Sequence, residues 1–459
     1  MKRIMAGVVS VIASLAVAAG LLVGGPVSPA SANSVPARFM SGWMPYWTTN
    51  ASVNSFLANS SIFSDISPFW HNAAKSSSNT SKITIQNHLS KSERDAVLAK
   101  IKGKGAGIWP SITDGTGAGY MSGVMKNSTQ RAALVNQIHS LVVDNKYDGI
   151  DLDFEKFAFS DNRSTWAATR PAWVQFMKQL SAKFKASGKK ISVALPPMTG
   201  DKSGYWVYDW KGIKNYIDKL RVMTYDYSWD SPGPVGGPLS WVDNVTKYGV
   251  SAVGGRKFQV GTPTYGRDWA ISGSGCGSTK TFHSNQRSSI PGSSAWKRDA
   301  ASAELYKNYK TGNCKRVAWV SDQYTQVRRL AIAKKYNTGG LAQWMVGTEI
   351  SSQWPLLRAE AGIRSQKVSR SYTNKLRKPG TKLWVKGKIS PKRKANIRLQ
   401  RYTKNGWRNV RTVKTTKAGN YRTSVFTKKR KAKYTFRIAV PARSGYTAAY
   451  SKTFVLRTR

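Results

Sequence analysis

The chain has 459 residues, and its 73 Lys and Arg against 22 Asp and Glu give a formal net charge of +51 at pH 7. This length allows more than one domain, since domains usually run to ~100–250 residues. The four histidines are scattered without the spacing of zinc ligands, so we expect neither a metal site nor a cofactor. They are His71, His88, His139 and His283.

The first 32 residues are predicted to be a secretory signal peptide. Lys2 and Arg3 precede an apolar run, and the small residues of "SPASA" place a cleavage site after Ala32. The alternative is an uncleaved anchor, because the apolar run is nearly as long as the ~20 residues that span a bilayer. We favour cleavage and expect a secreted protein, extracellular or cell-wall associated, with no membrane contact afterwards. A strongly basic chain usually binds nucleic acid, but export argues against that partner.

Residues 33–364 are predicted to form an α/β domain. Short β-rich runs alternate there with longer helical patterns, which is typical of βα units around a parallel sheet. Eight runs are predicted as strands: "FMSGWMPYW", "FSDISPFW", "GAGIWPSIT", "YDGIDLDFE", "KKISVALPP", "KLRVMTYDY", "KFQVGTPTYG" and "GGLAQWMVG". Eight parallel strands predict a closed (β/α)8 TIM barrel.

An insertion near residues 268–318 follows the seventh predicted strand. It carries both cysteines of the chain, Cys276 and Cys314. Because an exported chain meets an oxidising environment, we predict that they form a disulfide, with two buried free thiols as the alternative. The bond would fasten a long surface loop.

The remaining chain differs in pattern and charge. Residues 365–380 are predicted as a basic linker, and residues 381–459 as an all-β domain, because runs such as "KYTFRIAV" alternate apolar and polar side chains. Short strands with turns such as "KNG" predict a small immunoglobulin-like sandwich. Residues 365–459 contain 29 Lys and Arg and no Asp or Glu. We expect them to bind an anionic cell-wall or extracellular polymer, the alternative being a charged solubilising spacer.

Three carboxylates in "YDGIDLDFEKF" carry the argument for an active site. Asp151, Asp153 and Glu155 are two residues apart, so they share one face of the predicted strand while Leu152 and Phe154 share the other. In a barrel this places the acids in the interior, rising towards the C-terminal rim where barrel active sites lie. Like charges this close raise at least one pKa, as general-acid cleavage of a glycosidic bond requires. The alternative is a solvated acidic edge strand.

These residues resemble glycoside hydrolase family 18, which includes chitinases and related endo-N-acetylglucosaminidases. "DGIDLDFE" is similar to that family's DGxDxDxE signature, "MTYD" to its MxYD motif, and Trp344 to its tryptophan under the reacting sugar. The resemblance implies catalysis in which the substrate's own N-acetyl oxygen is the nucleophile.

By resemblance, each motif residue acquires an expected role. Glu155 would protonate the leaving oxygen, Asp153 would orient the acetamido group, and Asp151 would share a proton with Asp153. Tyr225 would hydrogen-bond the acetamido carbonyl, and Asp226 would help to fix its geometry. Met223 is either sugar contact or barrel packing, and Asp148 is expected to support the strand.

Aromatic side chains at the predicted strand ends are candidates for sugar binding, since pyranose rings stack on aromatic faces. Besides Trp344, the candidates are Tyr46, Trp47, Trp70, Tyr227 and Tyr265, each with packing as the alternative.

"GTPTYGRDW" and "SPFW" resemble the bacterial branch with spore-cortex and wall-lytic N-acetylglucosaminidases, while "GIWPSITDG" lacks the SxGG pattern of dedicated chitinases. The sequence thus predicts a hydrolase of β-1,4-linked N-acetylglucosamine polymers: chitin, chitooligosaccharides or peptidoglycan. The alternatives are a non-catalytic, lectin-like chitin or wall binder on the same barrel, and a basic adhesin. Glu155 favours catalysis, because such binders usually lose the terminal acid.

Overall fold

The computed structural model describes residues 34–77, 82–364, 366–404, 406–441, 446 and 448–459. The predicted signal peptide lies outside these ranges. Within them, no helix is both long enough and apolar enough to cross a membrane.

Eight strands of the first 344 residues form one closed parallel barrel. In chain order, the strands up to Trp344 are β1 (Met40–Pro45), β2 (Asp65–Lys75), β3 (Ile83–Asn87), β4 (Gly107–Ile108), β5 (Ser111–Asp114), β6 (Gly149–Asp153), β7 (Lys190–Leu195), β8 (Lys219–Val222), β9 (Phe258–Pro263), β10 (Tyr265–Ser272), β11 (Lys280–His283), β12 (Lys297–Arg298), β13 (Leu305–Thr311), β14 (Cys314–Val320) and β15 (Gly340–Trp344). Neighbouring barrel strands follow the order β1, β15, β9, β8, β7, β6, β5 and β2, and β2 pairs back with β1. The predicted TIM barrel is therefore confirmed, and β3 adds an antiparallel strand beside β2.

Helices surround the barrel. They are α1 (Thr49–Asn59), α2 (Lys91–Ile101), α3 (Tyr120–Lys126), α4 (Ser128–Asp144), α5 (Lys156–Phe159), α6 (Trp166–Ala186), α7 (Trp210–Ile213), α8 (Leu239–Val253), α9 (Gln323–Lys335) and α10 (Gln353–Glu360). The longest, α6, buries Trp173, Phe176 and Leu180, which recur at helical spacing and pack one apolar face onto the core. Helix α9 begins after Asp322, whose carboxylate accepts the backbone N–H groups of Tyr324 and Thr325.

The insertion after β9 forms an antiparallel sheet of its own. Its strands follow the order β11, β10, β14, β13 and β12. Cys276 and Cys314 form a disulfide in it with a sequence separation of 38, which confirms the predicted bond. The sheet continues directly from the seventh barrel strand, so its first strand reaches the rim of the barrel.

The C-terminal segment folds into two antiparallel sheets around a separate apolar core. Its strands are β16 (Lys367–Val368), β17 (Ser371–Tyr372), β18 (Leu383–Ser390), β19 (Asn396–Thr403), β20 (Gly406–Lys414), β21 (Asn420–Val425), β22 (Lys433–Val440), β23 (Ala449–Tyr450) and β24 (Phe454–Arg457). The arrangement is sandwich-like, as predicted. Part of the predicted linker, 365–380, is built into it, because β16 and β17 both pair with β18. Their two-residue pairings are too short for alternation to show in the sequence.

Candidate active site

Asp151 is held rigidly in the barrel interior. It lies on β6 and is fully buried. The indole N–H of Trp43 and the hydroxyl of Ser111 donate to its Oδ2, both at 2.8 Å, and the hydroxyl of Ser192 donates to its Oδ1 at 2.6 Å. Arg221 lies 3.1 Å from the same Oδ1. Both carboxylate oxygens therefore have partners, which come from β1, β5, β7 and β8.

Two cations lie deeper in the barrel. Arg221 is fully buried on β8, where it pairs with Asp65 and donates to the hydroxyl of Ser67 at 2.6 Å. Lys219, two residues earlier on the same face, also pairs with Asp65. The alternating charges compensate one another, as buried charges must. The prediction did not include these cations, although their spacing in "KLRV" places both on one strand face.

Asp153 and Glu155 form a pair of neighbouring carboxyl groups above Asp151. Asp153 ends β6 and is 8% exposed, and Glu155 follows just before α5. Burial, followed by the negative charges of Glu155 and Asp151, raises the pKa of Asp153 well above its usual range. Burial also raises the pKa of Glu155, to which the charge of Asp226 adds. The two carboxyl groups are close enough to influence each other's pKa, and burial raises the pKa of both.

The proton that we expect Asp151 to share with Asp153 stays a prediction. In this structure Trp43, Ser111 and Ser192 donate to Asp151, and Arg221 pairs with it. The negative charge of Asp151 contributes to the raised pKa of Asp153.

Tyr225 and Asp226 follow β8 at the same rim. Burial, then the negative charges of Asp153 and Glu155, raises the pKa of Tyr225 well above its usual range, so its hydroxyl stays a neutral donor. Asp226 adopts a φ of 55°, uncommon for a residue other than glycine. Arg267 on β10 donates to Asp226 at 2.8 Å and lies over the ring of Trp229 at 5.1 Å. The insertion sheet therefore supplies part of the site.

Two cavities meet at Asp226. The smaller has a volume of about 250 Å³ and is lined by Trp47, Asp226, Tyr265, Arg267, Thr281, His283, Trp344, Met345 and Thr348. The larger has a volume of about 690 Å³ and is lined by Glu155, Phe159, Pro196, Pro197, Tyr205, Met223, Tyr225, Asp226, Tyr227, Trp229 and Trp241. The carboxyl pair thus lies beside an elongated cleft with aromatic side chains on both sides.

Trp344 forms the aromatic floor on the smaller side. Its ring meets those of Phe69, Trp43 and Trp47 edge to face, at 5.2, 6.0 and 6.2 Å. Its backbone carbonyl accepts the N–H of Thr264 at 2.8 Å, which fixes the end of β15. Such a fixed, partly exposed ring suits stacking of a pyranose.

The other predicted aromatic side chains divide into three groups. Trp47, Tyr227 and Tyr265 line the cleft, as does Met223. Tyr46 instead stacks on His88 at 4.4 Å, beside the cleft rather than in its lining. Trp70 is 1% exposed in the main core, so its proposed contact with sugar is wrong in this structure. Neighbouring side chains of a strand point to opposite faces, and it is Phe69 that packs beside Trp344.

The prediction missed several residues that line the cleft. Phe159, Tyr205, Trp229 and Trp241 come from loops and helices after the strands, where no alternation marks the direction of a side chain. A signal was present in "TYGRDW", whose Tyr265 and Arg267 are two residues apart on one strand face. Among the described residues, no group of three or more His, Cys, Asp or Glu is placed to hold a metal ion.

A closed TIM barrel with a carboxyl pair at its C-terminal rim and an aromatic cleft defines a glycoside hydrolase. The family model of glycosyl hydrolases family 18 matches residues 43–349 of this chain. The chain belongs to that family.

Individual relatives are distant. The chain is 28% identical over 253 residues to the uncharacterized glycosylase YvbX of Bacillus subtilis, covering 52% of this chain and 68% of that protein. It is 23% identical over 220 residues to the cortical fragment-lytic enzyme of Bacillus anthracis, covering 45% of this chain and 48%, about half, of the relative. The crystal structure of a chitinase from Chromobacterium violaceum matches with a TM-score of 0.60 at 18% identity, covering 72% of this chain and all of the other, which shows a shared fold.

Proposed function

We propose that this protein is a secreted, retaining hydrolase of β-1,4-linked N-acetylglucosamine polymers, in which the acetamido group of the substrate acts as the nucleophile. The observation that carries the proposal is the pair of neighbouring carboxyl groups of Asp153 and Glu155 beside the cleft, both with a raised pKa. Glu155 faces the larger cavity, while Asp153 is buried beneath it. Raised pKa values favour a protonated carboxyl group at this position, as a general acid requires.

The proposed first step uses both members of the pair. Glu155 donates its proton to the glycosidic oxygen, the bond from that oxygen to the anomeric carbon breaks, and the acetamido carbonyl oxygen attacks that carbon. Asp153 is the anion while Glu155 holds the proton, and it accepts the acetamido N–H and stabilises the cyclic oxazolinium cation. Tyr225, held neutral by its raised pKa, donates to the acetamido carbonyl oxygen. Water then attacks the anomeric carbon and gives up a proton to Glu155, while the bond from that carbon to the acetamido oxygen breaks. The acetamido group is restored, and the product retains its configuration.

The substrate class follows from the cleft and the family. Trp344 and Trp47 offer apolar faces to a sugar ring on the smaller side, and Met223, Tyr227 and Trp229 offer them on the larger side. Family relatives include a cortical fragment-lytic enzyme and bacterial chitinases. These findings support peptidoglycan, chitin and chitooligosaccharides as the polymers to test, and export through the predicted signal peptide would bring the enzyme to them.

Glu155→Gln tests the proposed acid, because it removes the proton donor while keeping nearly the same shape. We expect turnover of chitooligosaccharides to fall by ~10²–10⁴-fold with little change in binding. Glu360→Gln, on helix α10 and paired with Lys334, is the matched control and should retain activity. Turnover near the wild-type level in Glu155→Gln would remove this residue from the mechanism. Wild-type protein that binds but never cleaves would indicate a lectin-like binder.

The nucleophile and the substrate need separate measurements. The initial product should be the β-anomer by NMR, and a thiazoline analogue of the oxazolinium should inhibit, because it resembles the transition state. An initial α-anomer would contradict the mechanism. Incubation with colloidal chitin, chitooligosaccharides and peptidoglycan in parallel, with mass spectrometry of the new reducing ends, identifies the polymer that is cleaved.

A further inference from the structure

A basic groove lies on the C-terminal sandwich. It has a volume of about 670 Å³ and is lined by Ser369, Arg370, Ser371, Lys386, Gly387, Lys388, Lys414, Thr416, Asn420, Tyr421 and Arg422. Five of these residues carry cationic side chains, and five others, the Ser, Thr, Asn and Tyr residues, supply hydroxyl and amide groups. Because residues 365–459 contain no Asp or Glu, the groove has no acidic lining.

The strand register brings the cations together. Lys386 on β18 lies opposite Arg422 on β21, and Lys388 follows on the same exposed face, opposite Asn420. Like charges directly opposite each other on neighbouring strands destabilise a sheet. None of Lys386, Lys388 and Arg422 takes part in an ion pair within the part of the chain that the structure describes. An anion in the groove would relieve this repulsion.

Two of the cations are held in place by neighbouring groups. Arg422 lies over the ring of Trp384 at 4.2 Å. Arg370 donates to the backbone carbonyl of Thr453 at 2.7 Å and lies over the ring of Tyr372 at 5.0 Å. Ordered guanidinium groups suit phosphate oxygens, which they bind through paired N–H donors, and lysines add point charges beside them. The groove therefore fits a series of phosphate groups.

The aromatic side chains disfavour two other polymers. Tyr421, the aromatic residue among the lining residues, is 4% exposed, and its hydroxyl donates to the carbonyl of Ser369 at 2.7 Å. The neighbouring Trp384, which is not part of the lining, is 48% exposed, and Arg422 lies over one of its faces. Unpaired nucleobases and neutral sugars both bind through stacking on open rings. The groove lining offers no such face, whereas its Ser, Thr and Asn side chains can bind hydroxyl groups.

We propose that this groove binds an extracellular polyol-phosphate polymer, whose phosphodiesters contact the five cations and whose hydroxyl groups contact the polar lining. The polymer tethers the protein at its site of action. This inference is independent of the proposed function, because none of the groove residues lines the catalytic cleft.

Binding of a synthetic glycerol-phosphate oligomer to the full chain tests the proposal. Fluorescence anisotropy would compare the wild type with the triple variant Lys386→Gln, Lys388→Gln, Arg422→Gln. We expect the variant to lose about tenfold or more in affinity and its log–log salt slope to fall by about 2–3, since each lost phosphate contact removes roughly 0.7–0.9. Unchanged thermal unfolding would show that the variant is folded. If it unfolds, Arg422→Lys alone is measured and should bind more weakly than wild type while retaining the charge.

The matched control removes the same charge elsewhere on the sandwich. Lys428→Gln, Lys429→Gln, Arg430→Gln lies in an exposed turn outside the groove and should reduce affinity by less than about threefold. Poly-glutamate, a single-stranded DNA of equal charge and a neutral N-acetylglucosamine oligomer should all bind more weakly than the glycerol-phosphate oligomer. Equal losses in both triple variants, or tighter binding of DNA or poly-glutamate, would overturn the proposal.

Discussion

At the scale of single residues, three carboxyl groups on one strand acquire different properties from their neighbours. Asp151 accepts three hydrogen bonds, from Trp43, Ser111 and Ser192, and pairs with the buried cation Arg221, which fixes its position. Asp153 has one buried oxygen, Oδ1, without a donor among the described groups, and it is next to Glu155. Burial without donors favours the protonated form, whereas burial with donors favours the charged form. The environments thus distinguish a carboxyl group held by several donors from a neighbouring pair whose pKa values are raised.

Asp153→Asn should lower the rate strongly. We expect a large loss of turnover, because the amide cannot stabilise an oxazolinium cation as a carboxylate does. Turnover of chitooligosaccharides by the variant and the wild type gives the difference. Turnover near the wild-type level would show that Asp153 does not stabilise the oxazolinium cation.

His71 should make the protein less stable in mild acid. It is 1% exposed, and burial lowers its pKa to about 4. In the unfolded chain this imidazole therefore binds a proton near pH 6.5, whereas in the folded chain it binds one only near pH 4. The neutral buried His71 contributes to the stability of the fold above pH 6.5, and this contribution is lost as the pH falls from about 6.5 to about 4. Between pH 7 and 5 the free energy of unfolding should fall by about 2 kcal/mol from this group.

The His71→Gln variant isolates that effect. Glutamine retains a donor for Asn87, which His71 contacts at 2.6 Å, but it does not titrate. Urea unfolding of both proteins at pH 7 and pH 5 gives the difference, and the other acids cancel in the comparison. Equal pH dependence in the two proteins would contradict the assignment of the acid sensitivity to His71.

At the scale of elements, the insertion sheet both extends the fold and completes the cleft. Strand β10 begins with Tyr265 and Arg267, which line the smaller cavity, and continues to Asp268, whose carboxylate binds Arg316 at 3.0 Å. Arg316 also donates to the backbone carbonyl of Cys276 at 2.6 Å. The disulfide and the cleft are thus at opposite ends of one strand, with a buried ion pair between them.

Replacing both cysteines with serine should reduce stability and spare activity. The bond closes a loop with a sequence separation of 38, for which the chain-entropy model gives about 4 kcal/mol. Activity on soluble oligosaccharides should persist, because Arg267 remains paired with Asp226 and β10 remains paired with β14. Thermal unfolding and a rate assay on the same sample test both effects. Activity that disappears while the barrel stays folded would show that the bond shapes the cleft.

The elements could largely be predicted from the sequence, because barrel strands are apolar runs between helical patterns and the signature places acids on one face. What could not be predicted depends on contacts between distant segments. Three side chains that donate hydrogen bonds to Asp151 come from β1, β5 and β7. Local sequence does not indicate which strands bring their side chains together in the barrel interior. The sequence did not indicate which of Phe69 and Trp70 points towards Trp344, because the pairing of β2 with β5 is irregular between Phe69 and His71. The strands in residues 365–380 are shorter than any periodic pattern.

At the scale of the whole molecule, charge is divided unequally between the barrel segment and the C-terminal segment. All 22 Asp and Glu precede residue 365, and the ion pairs that the described residues form lie between Asp65 and Glu360. The 29 cations of the C-terminal segment have no acidic residue within it. Added salt should therefore affect the segments differently, since it weakens attraction in the first and repulsion in the second.

The C-terminal sandwich should become more stable as salt is added. Salt screens the repulsion among its cations, because the Debye length falls from tens of ångströms at about 0.01 M to a few at about 1 M. Each kcal/mol by which the free energy of unfolding rises should raise the unfolding midpoint by about 4–8 °C in a domain of this size. Surface ion pairs of the barrel are worth only about 0–1 kcal/mol each, so its midpoint should change little. Calorimetry of the full chain at low and high salt measures both, and a chain ending at Arg364 identifies the barrel transition. The same salt should release the protein from a polyol-phosphate polymer, so stability and retention should respond in opposite directions. A C-terminal midpoint that falls or stays constant would mean that self-repulsion does not limit the stability of this domain.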